Sequence, residues 1–198
     1  VAAQLDRDVR KFGYHGRLVV KSDQEPAVVD LMKDLARRRL DAPTVLESSK
    51  AYDSKSNGRA EGAVRRVEEQ VRTMRLALEE AIGVAVDVHH PAFAWLVEHA
   101  AFVRLTGVVG RDGRTGYSRM RGTEHSMRLP FFGERIRYKC RAREDGVGGE
   151  GTRWCDGIFV CVHRRTNQYV IYDAERGIKE ARTVMRFPDE LKFSADEA

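Results

Sequence analysis

No stretch of this chain could cross a bilayer as a helix, because nothing approaches the roughly 18 consecutive apolar residues that a span needs. The opening VAAQLDRDVRK lacks the long apolar core of a secretion signal. It also lacks an initiating Met, so the chain reads as a fragment or a processed product. Cysteine is scarce: Cys140, Cys155 and Cys161 are odd in number and show no C-x-x-C spacing. Neither a disulfide framework nor a zinc site is signalled, and reduced thiols in a nuclear or cytoplasmic compartment are expected. His89–His90 stands just before Pro91 with no cysteine pair near it, and reads as a loop feature. No internal repeat is present, and no Ser–His or Cys–His constellation offers an activated nucleophile.

The 198 residues that are there include 42% apolar and 33% charged side chains, a balance that suits a soluble globular fold and excludes a disordered one. The length suits one domain with a smaller second one. A net charge of +5, with pI near 9.2, pulls mildly towards phosphates or acidic surfaces.

Along the chain, residues 3–12 read as the end of a helix closed by Gly13 and Gly16, and RLVVK (17–21) as a β-branched strand. Pro26 opens a second helical pattern, TVLES (44–48) reads as a strand, and SKAYDSKSNG as a loop. A long helix follows from about 58 to 82, with Asn57 or Gly58 as its N-cap. Its apolar stripe runs through Ala60, Ala63/Val64, Val67, Val71, Met74, Leu78 and Ile82. A further helix covers 91–108. This alternation predicts an α/β layer, a mixed sheet covered by helices, over 1–109. Residues 110–133 are rich in glycine and arginine and read as a linker. Four β-like runs then follow without helices between them: ERIRYKCRA, RWCDGIFVCVH, NQYVIYDA and IKEARTVMRF. They predict a small all-β barrel over 134–190. Tyr138 and Trp154 are expected to serve its core.

Two acidic residues stand out together. Asp23 lies at the carboxyl end of the first strand, where open α/β sheets place their ligands. Glu61 lies in the first turn of the long helix, after 37 intervening residues that return the chain to the sheet. Carboxylates converging at a sheet edge need a cation between them, and Mg²⁺ or Mn²⁺ prefers such hard oxygen ligands. Pairs of these ions serve phosphoryl transfer. For Glu61 alone, a simple preference of acidic side chains for helix N-termini is the competing explanation.

The blocks VVKSDQEPAVVDLMKDLARRR and SSKAYDSKSNGRAEGAVRRVEEQVRTM resemble the retroviral-type integrase core of retrotransposons, a polynucleotidyl transferase family with an RNase H-like fold. Asp23 matches the family's second catalytic aspartate, and Glu61 matches the glutamate of its S-x-G-x-x-E block. TGYSRMRG (116–122) is similar to the connector after the core, and the tail from WCDGIF to VMRF to the strand-rich region of copia-like elements. The resemblance covers most of the chain. It implies a partial integrase core at 1–109, a linker at 110–133 and an SH3-like barrel at 134–190. It further implies metal-dependent 3′-end processing and strand transfer of element DNA into host DNA, with multimers acting on two DNA ends. The family's first aspartate lies on an earlier strand; Asp6 and Asp8 fall in the N-terminal helix and do not replace it. The chain therefore reads as N-terminally truncated and inactive alone.

Expected DNA contacts follow from the same picture. Lys50, Lys55 and Asn57 occupy the loop before the long helix, and Arg59, Arg65 and Arg66 its first turns. These would meet phosphates in a salt-dependent, sequence-tolerant way. The alternative for Arg65 and Arg66 is pairing with Glu68 and Glu69 on a solvated helix face. Arg135, Arg137, Lys139, Arg141 and Arg143 alternate along one strand and would share one face. Two other functions compete with integration: a non-catalytic nucleic-acid or chromatin-binding protein on a decayed integrase scaffold, and a ribonuclease-type hydrolase using the same metal chemistry.

Overall fold

The computed structural model describes residues 1–22, 24–48, 58–140 and 154–194. In chain order the helices are α1 (Ala2–Lys11), α2 (Pro26–Arg38), α3 (Gly58–Ile82), α4 (Ala92–Gly107) and α5 (Gly116–Arg121). The strands are β1 (Leu18–Ser22), β2 (Thr44–Ser48), β3 (Arg135–Lys139), β4 (Trp154–Val162), β5 (Tyr169–Asp173), β6 (Gly177–Ala181) and β7 (Val184–Arg186). The fold is mixed α/β, with a two-stranded parallel sheet early in the chain and a five-stranded antiparallel sheet late in it. Two compact units emerge, Val1–Arg65 with Tyr117–Thr123, and Arg66–Gly116 with Glu124–Ala198.

In the first unit β1 and β2 run parallel, in register from Leu18 opposite Thr44 to Ser22 opposite Ser48. Parallel neighbours need a crossover, and α2 supplies it. Pro26 sits at the start of α2, where its missing N–H costs nothing, and Arg37 and Arg38 complement the dipole at the other end. Leu35 is the buried anchor of that helix. Just past it, the buried Arg39 donates from Nε to Thr44 Oγ1 at 3.1 Å and from Nη2 to the Gly16 carbonyl at 2.8 Å. Arg10 of α1 grips both Asp41 carboxylate oxygens at 2.7 Å and Asp6 at 2.9 Å. One side chain thereby ties α1 to the segment leaving α2.

In the second unit the strand order is β6-β5-β4-β3-β7. Ile136, Tyr138, Phe159, Val162 and Ile171 are buried with Phe102 of α4 in one cluster. Val160, Cys161 and Val170 pack with Val71 and Leu78 of α3 and Leu96 and Ala100 of α4 in another. Both faces of β4 are therefore covered, which explains why IFVCV is a continuous apolar run rather than an alternating one. An irregularity between Phe159 and Cys161 breaks the β4–β5 register there.

Several expectations change. The helix at 91–108 was expected over the first sheet, but α4 packs on β4, because α4 buries Leu96, His99, Ala100 and Phe102 and needs an apolar partner wider than two strands. The expected boundary at 109 does not coincide with the compact units. Residues 110–133 are more than a linker: they hold a Val109–Thr115 bridge, α5, and the buried Pro130 and Phe132. The run IKEARTVMRF is two strands, because β6 pairs with β5 at one edge while β7 pairs with β3 at the other. Only Arg182 and Thr183 join them, and the Lys139 N–H donates to the Thr183 carbonyl at 3.2 Å. Ladders closing it into the expected SH3-like barrel are not among the described pairings. Finally, Cys140 and Cys155 form a disulfide, against the expected reduced thiols. The antiparallel register of β3 on β4 brings their Cα atoms to 6.0 Å, inside the disulfide range, although a separation of 15 in sequence signals nothing.

Candidate functional site

The parallel register of the first unit decides where an acidic site would form. Ser22 and Ser48 lie opposite each other as the last residues of β1 and β2, so both strands end at the same sheet edge. Asp23 is the next residue after one of these ends, and the chain leaving the other enters α3 ten residues later. Glu61 is in the first turn of α3 and is exposed. A negative charge there is favoured by the unsatisfied N–H groups of that helix end. Asp23 itself lies outside the described residues, as do Lys50, Lys55, Asn57, Arg141 and Arg143. Among the described residues no group of three His, Cys, Asp or Glu is placed to hold a metal.

Arg59, Arg65 and Arg66 are exposed on the first turns of α3. The alternative pairing of Arg65 and Arg66 with Glu68 and Glu69 is not made among the described residues; Arg75 and Glu79 do pair, at 3.6 Å. Ala60, Ala63 and Val64 were expected to extend the apolar stripe inward but are exposed, and burial of the stripe begins with the half-buried Val67 and the buried Val71.

A second cluster lies on the late sheet. Arg135, Arg137 and Lys139 alternate with the buried Ile136 and Tyr138, so the three cations face outward together. The Arg135 and Arg137 guanidiniums lie 5.3 and 5.1 Å from the Phe187 ring centroid, within cation–π reach. Arg137 Nε also donates to Asp156 Oδ1 at 3.0 Å. Tyr138 serves the core, as expected, and its hydroxyl donates to Asp173 Oδ2 at 2.7 Å. Gly157 of β4 lies beside this pair and has no room for a side chain: a Cβ there would stand 2.7 Å from Ile171 Cγ2 and 2.9 Å from the Tyr172 carbonyl oxygen. Burial pushes the Asp173 carboxyl up. Hydrogen bonds from Tyr138, the Arg176 and Glu175 N–H groups and the Arg176 guanidinium outweigh this and hold it below its ordinary value.

Trp154 departs from expectation. It is half-buried and lines an open cavity of about 680 Å³ with Arg137, Asp156, Ile158, Tyr172 and Met185. Sequence reasoning missed this groove, although the alternation Trp154, Asp156, Ile158 was a signal that these three share a face.

No protein-family model matches the chain, and no curated protein matches it. Among solved structures, 94% of the chain is similar to a chain of the simian T-cell lymphotropic virus intasome in complex with PP2A regulatory subunit B56 gamma, at 10% identity and a TM-score of 0.44. The match spans 63% of that chain's length.

Proposed function

We propose that this chain is part of a metal-dependent polynucleotidyl transferase of the integrase type. Asp23 and Glu61 would be two of its carboxylate ligands, a third would come from elsewhere in the whole protein, and DNA would be its substrate. The observation that carries the reading is the Ser22–Ser48 register, which ends both strands at one edge, with Asp23 next in sequence and Glu61 in the helix that follows. The resemblance of both sequence blocks to the integrase core supports the same assignment. Mg²⁺ or Mn²⁺, when bound, would supply charge stabilisation for phosphoryl transfer. This chain's own residues would do the rest. Glu61 would hold the ion from a helix end that favours negative charge. Arg59, Arg65 and Arg66 would position the phosphate backbone without reading its sequence.

The test uses Mn²⁺ titration of the chain and a strand-joining assay on the longer protein. Glu61→Gln and Asp23→Asn should each weaken Mn²⁺ binding, and each should lower joining by at least about a hundredfold. Joining at the parental rate in either variant would refute the assignment.

A further inference from the structure

One pole of the first unit is both apolar and positively charged. Arg10 of α1 holds Asp41, Arg39 holds the Gly16 carbonyl, and the Leu18 N–H donates to the Pro43 carbonyl at 3.0 Å. These bonds gather the ends of α1 and α2 and the starts of β1 and β2 at one place. Three large apolar side chains from the same segments stand in solvent: Phe12 is 53% exposed, Tyr14 58% and Leu40 91%. Leu40 sits between Arg39 and Asp41, both fixed by hydrogen bonds, so its exposure belongs to an anchored turn.

The charges around them do not balance. Asp6 and Asp41 are held by Arg10, and Asp34 by Arg38 at 3.2 Å. Lys11, Arg17 and Arg37 are exposed and make no ion pair among the described residues. Helix C-termini favour Lys11 and Arg37. Arg17 belongs to no helix, however, and no helix end gains from a leucine or a phenylalanine left in water.

We infer that this pole docks an acidic amphipathic helix of a partner protein, whose apolar face covers Phe12, Tyr14 and Leu40 and whose carboxylates meet Lys11, Arg17 and Arg37. Apolar surface gathered at one place and rimmed by polar residues marks protein interfaces. Surplus charge of one sign selects a partner of the other, and an amphipathic helix carries an apolar and a charged face side by side. A phosphate backbone supplies the charge but nothing to cover Leu40. The pole lies at the starts of β1 and β2, about 13 Å of strand from the Ser22–Ser48 edge where both end. A partner seated here leaves that edge open, so docking stands or falls apart from the metal chemistry proposed above.

The experiment is fluorescence anisotropy with the 198-residue chain and a labelled helical peptide of about 16 residues, leucines on one face and glutamates on the other. A peptide with lysine for every glutamate and a labelled DNA duplex are the comparisons. The glutamate peptide should bind at least about tenfold tighter than the lysine peptide. Leu40→Ser and Phe12→Ser should each weaken its binding by about tenfold. Both side chains lie in solvent, so thermal melts by circular dichroism should match the parent. Lys11→Glu combined with Arg37→Glu should weaken binding by about tenfold and flatten its salt dependence. Failure of the glutamate peptide to bind, equal binding of both peptides, or binding unchanged in Leu40→Ser and Phe12→Ser would each overturn the inference. Duplex binding lost in these variants, without peptide binding, would overturn it and hand the surface to nucleic acid. A parent dimer in sedimentation that Leu40→Ser dissolves would overturn it in favour of a second copy of the chain.

Discussion

His99 on α4 should make the second unit acid-labile. Its ring is 1% exposed, lies 5.1 Å edge-on from the Phe159 ring, and has Phe132 on another side at 6.2 Å. Its Nδ1 makes no hydrogen bond among the described residues. Burial pushes its pKa from 6.5 down to about 4. The unfolded chain therefore takes up a proton near pH 6.5 while the folded chain resists until about pH 4. The stability tied to the neutral ring is fully present above pH 6.5 and drains away as the pH falls through that window. The whole shift corresponds to about 3 kcal/mol, and at pH 5 about 2 kcal/mol is already lost. Both tryptophans, Trp95 and Trp154, belong to this unit, so intrinsic fluorescence reports its unfolding. Urea melts from pH 4.5 to 7.5 should show the loss in the parent chain. His99→Leu should remove that component of the pH dependence, whatever its own cost at neutral pH. Parallel curves for parent and variant would refute the argument, as would a His99 ring signal titrating near 6.5 in the folded protein.

Other consequences of the packing are as direct. Gly157→Ala should destabilise by about 1–3 kcal/mol in a thermal melt, because its new methyl group meets the Tyr172 carbonyl and the Ile171 side chain. Glu134 is fully buried and accepts two 2.6 Å bonds from Arg186, and its carboxylate also accepts the Phe131 N–H at 2.9 Å. Glu134→Ala should cost about 3 kcal/mol in urea unfolding, as breaking a buried pair does. The Cys140–Cys155 bridge closes a 15-residue separation, and its reduction should lower stability by up to about 3 kcal/mol, read as a fall in Tm. Cys161 is the free thiol; burial pushes it up to about 12, so it should resist alkylation at pH 8 until the protein unfolds.

Local signals carried a good part of this molecule. Pro26 opening α2, the β-branched run of β1, and the three- and four-residue stripe of α3 were readable because each depends on neighbours within a few turns. The outward alternation of Arg135, Arg137 and Lys139 was readable for the same reason, since a strand has period two whatever it pairs with. The two acidic candidates, Asp23 and Glu61, came from their places at a strand end and a helix start, and from the resemblance of both sequence blocks to the integrase core.

What needed the tertiary structure was everything set by partners distant along the chain. The disulfide exists because β3 and β4 are antiparallel, and no spacing rule announces that. IKEARTVMRF divides because its two halves find different strands to bond, β5 and β3, at opposite edges of one sheet. The first turns of α3 keep Ala60, Ala63 and Val64 in solvent although their pattern is apolar, since a stripe says which face is oily and not what covers it. Trp154 left the core for a groove by the same logic: hydrophobicity is written residue by residue, while burial belongs to whichever surfaces the fold brings together.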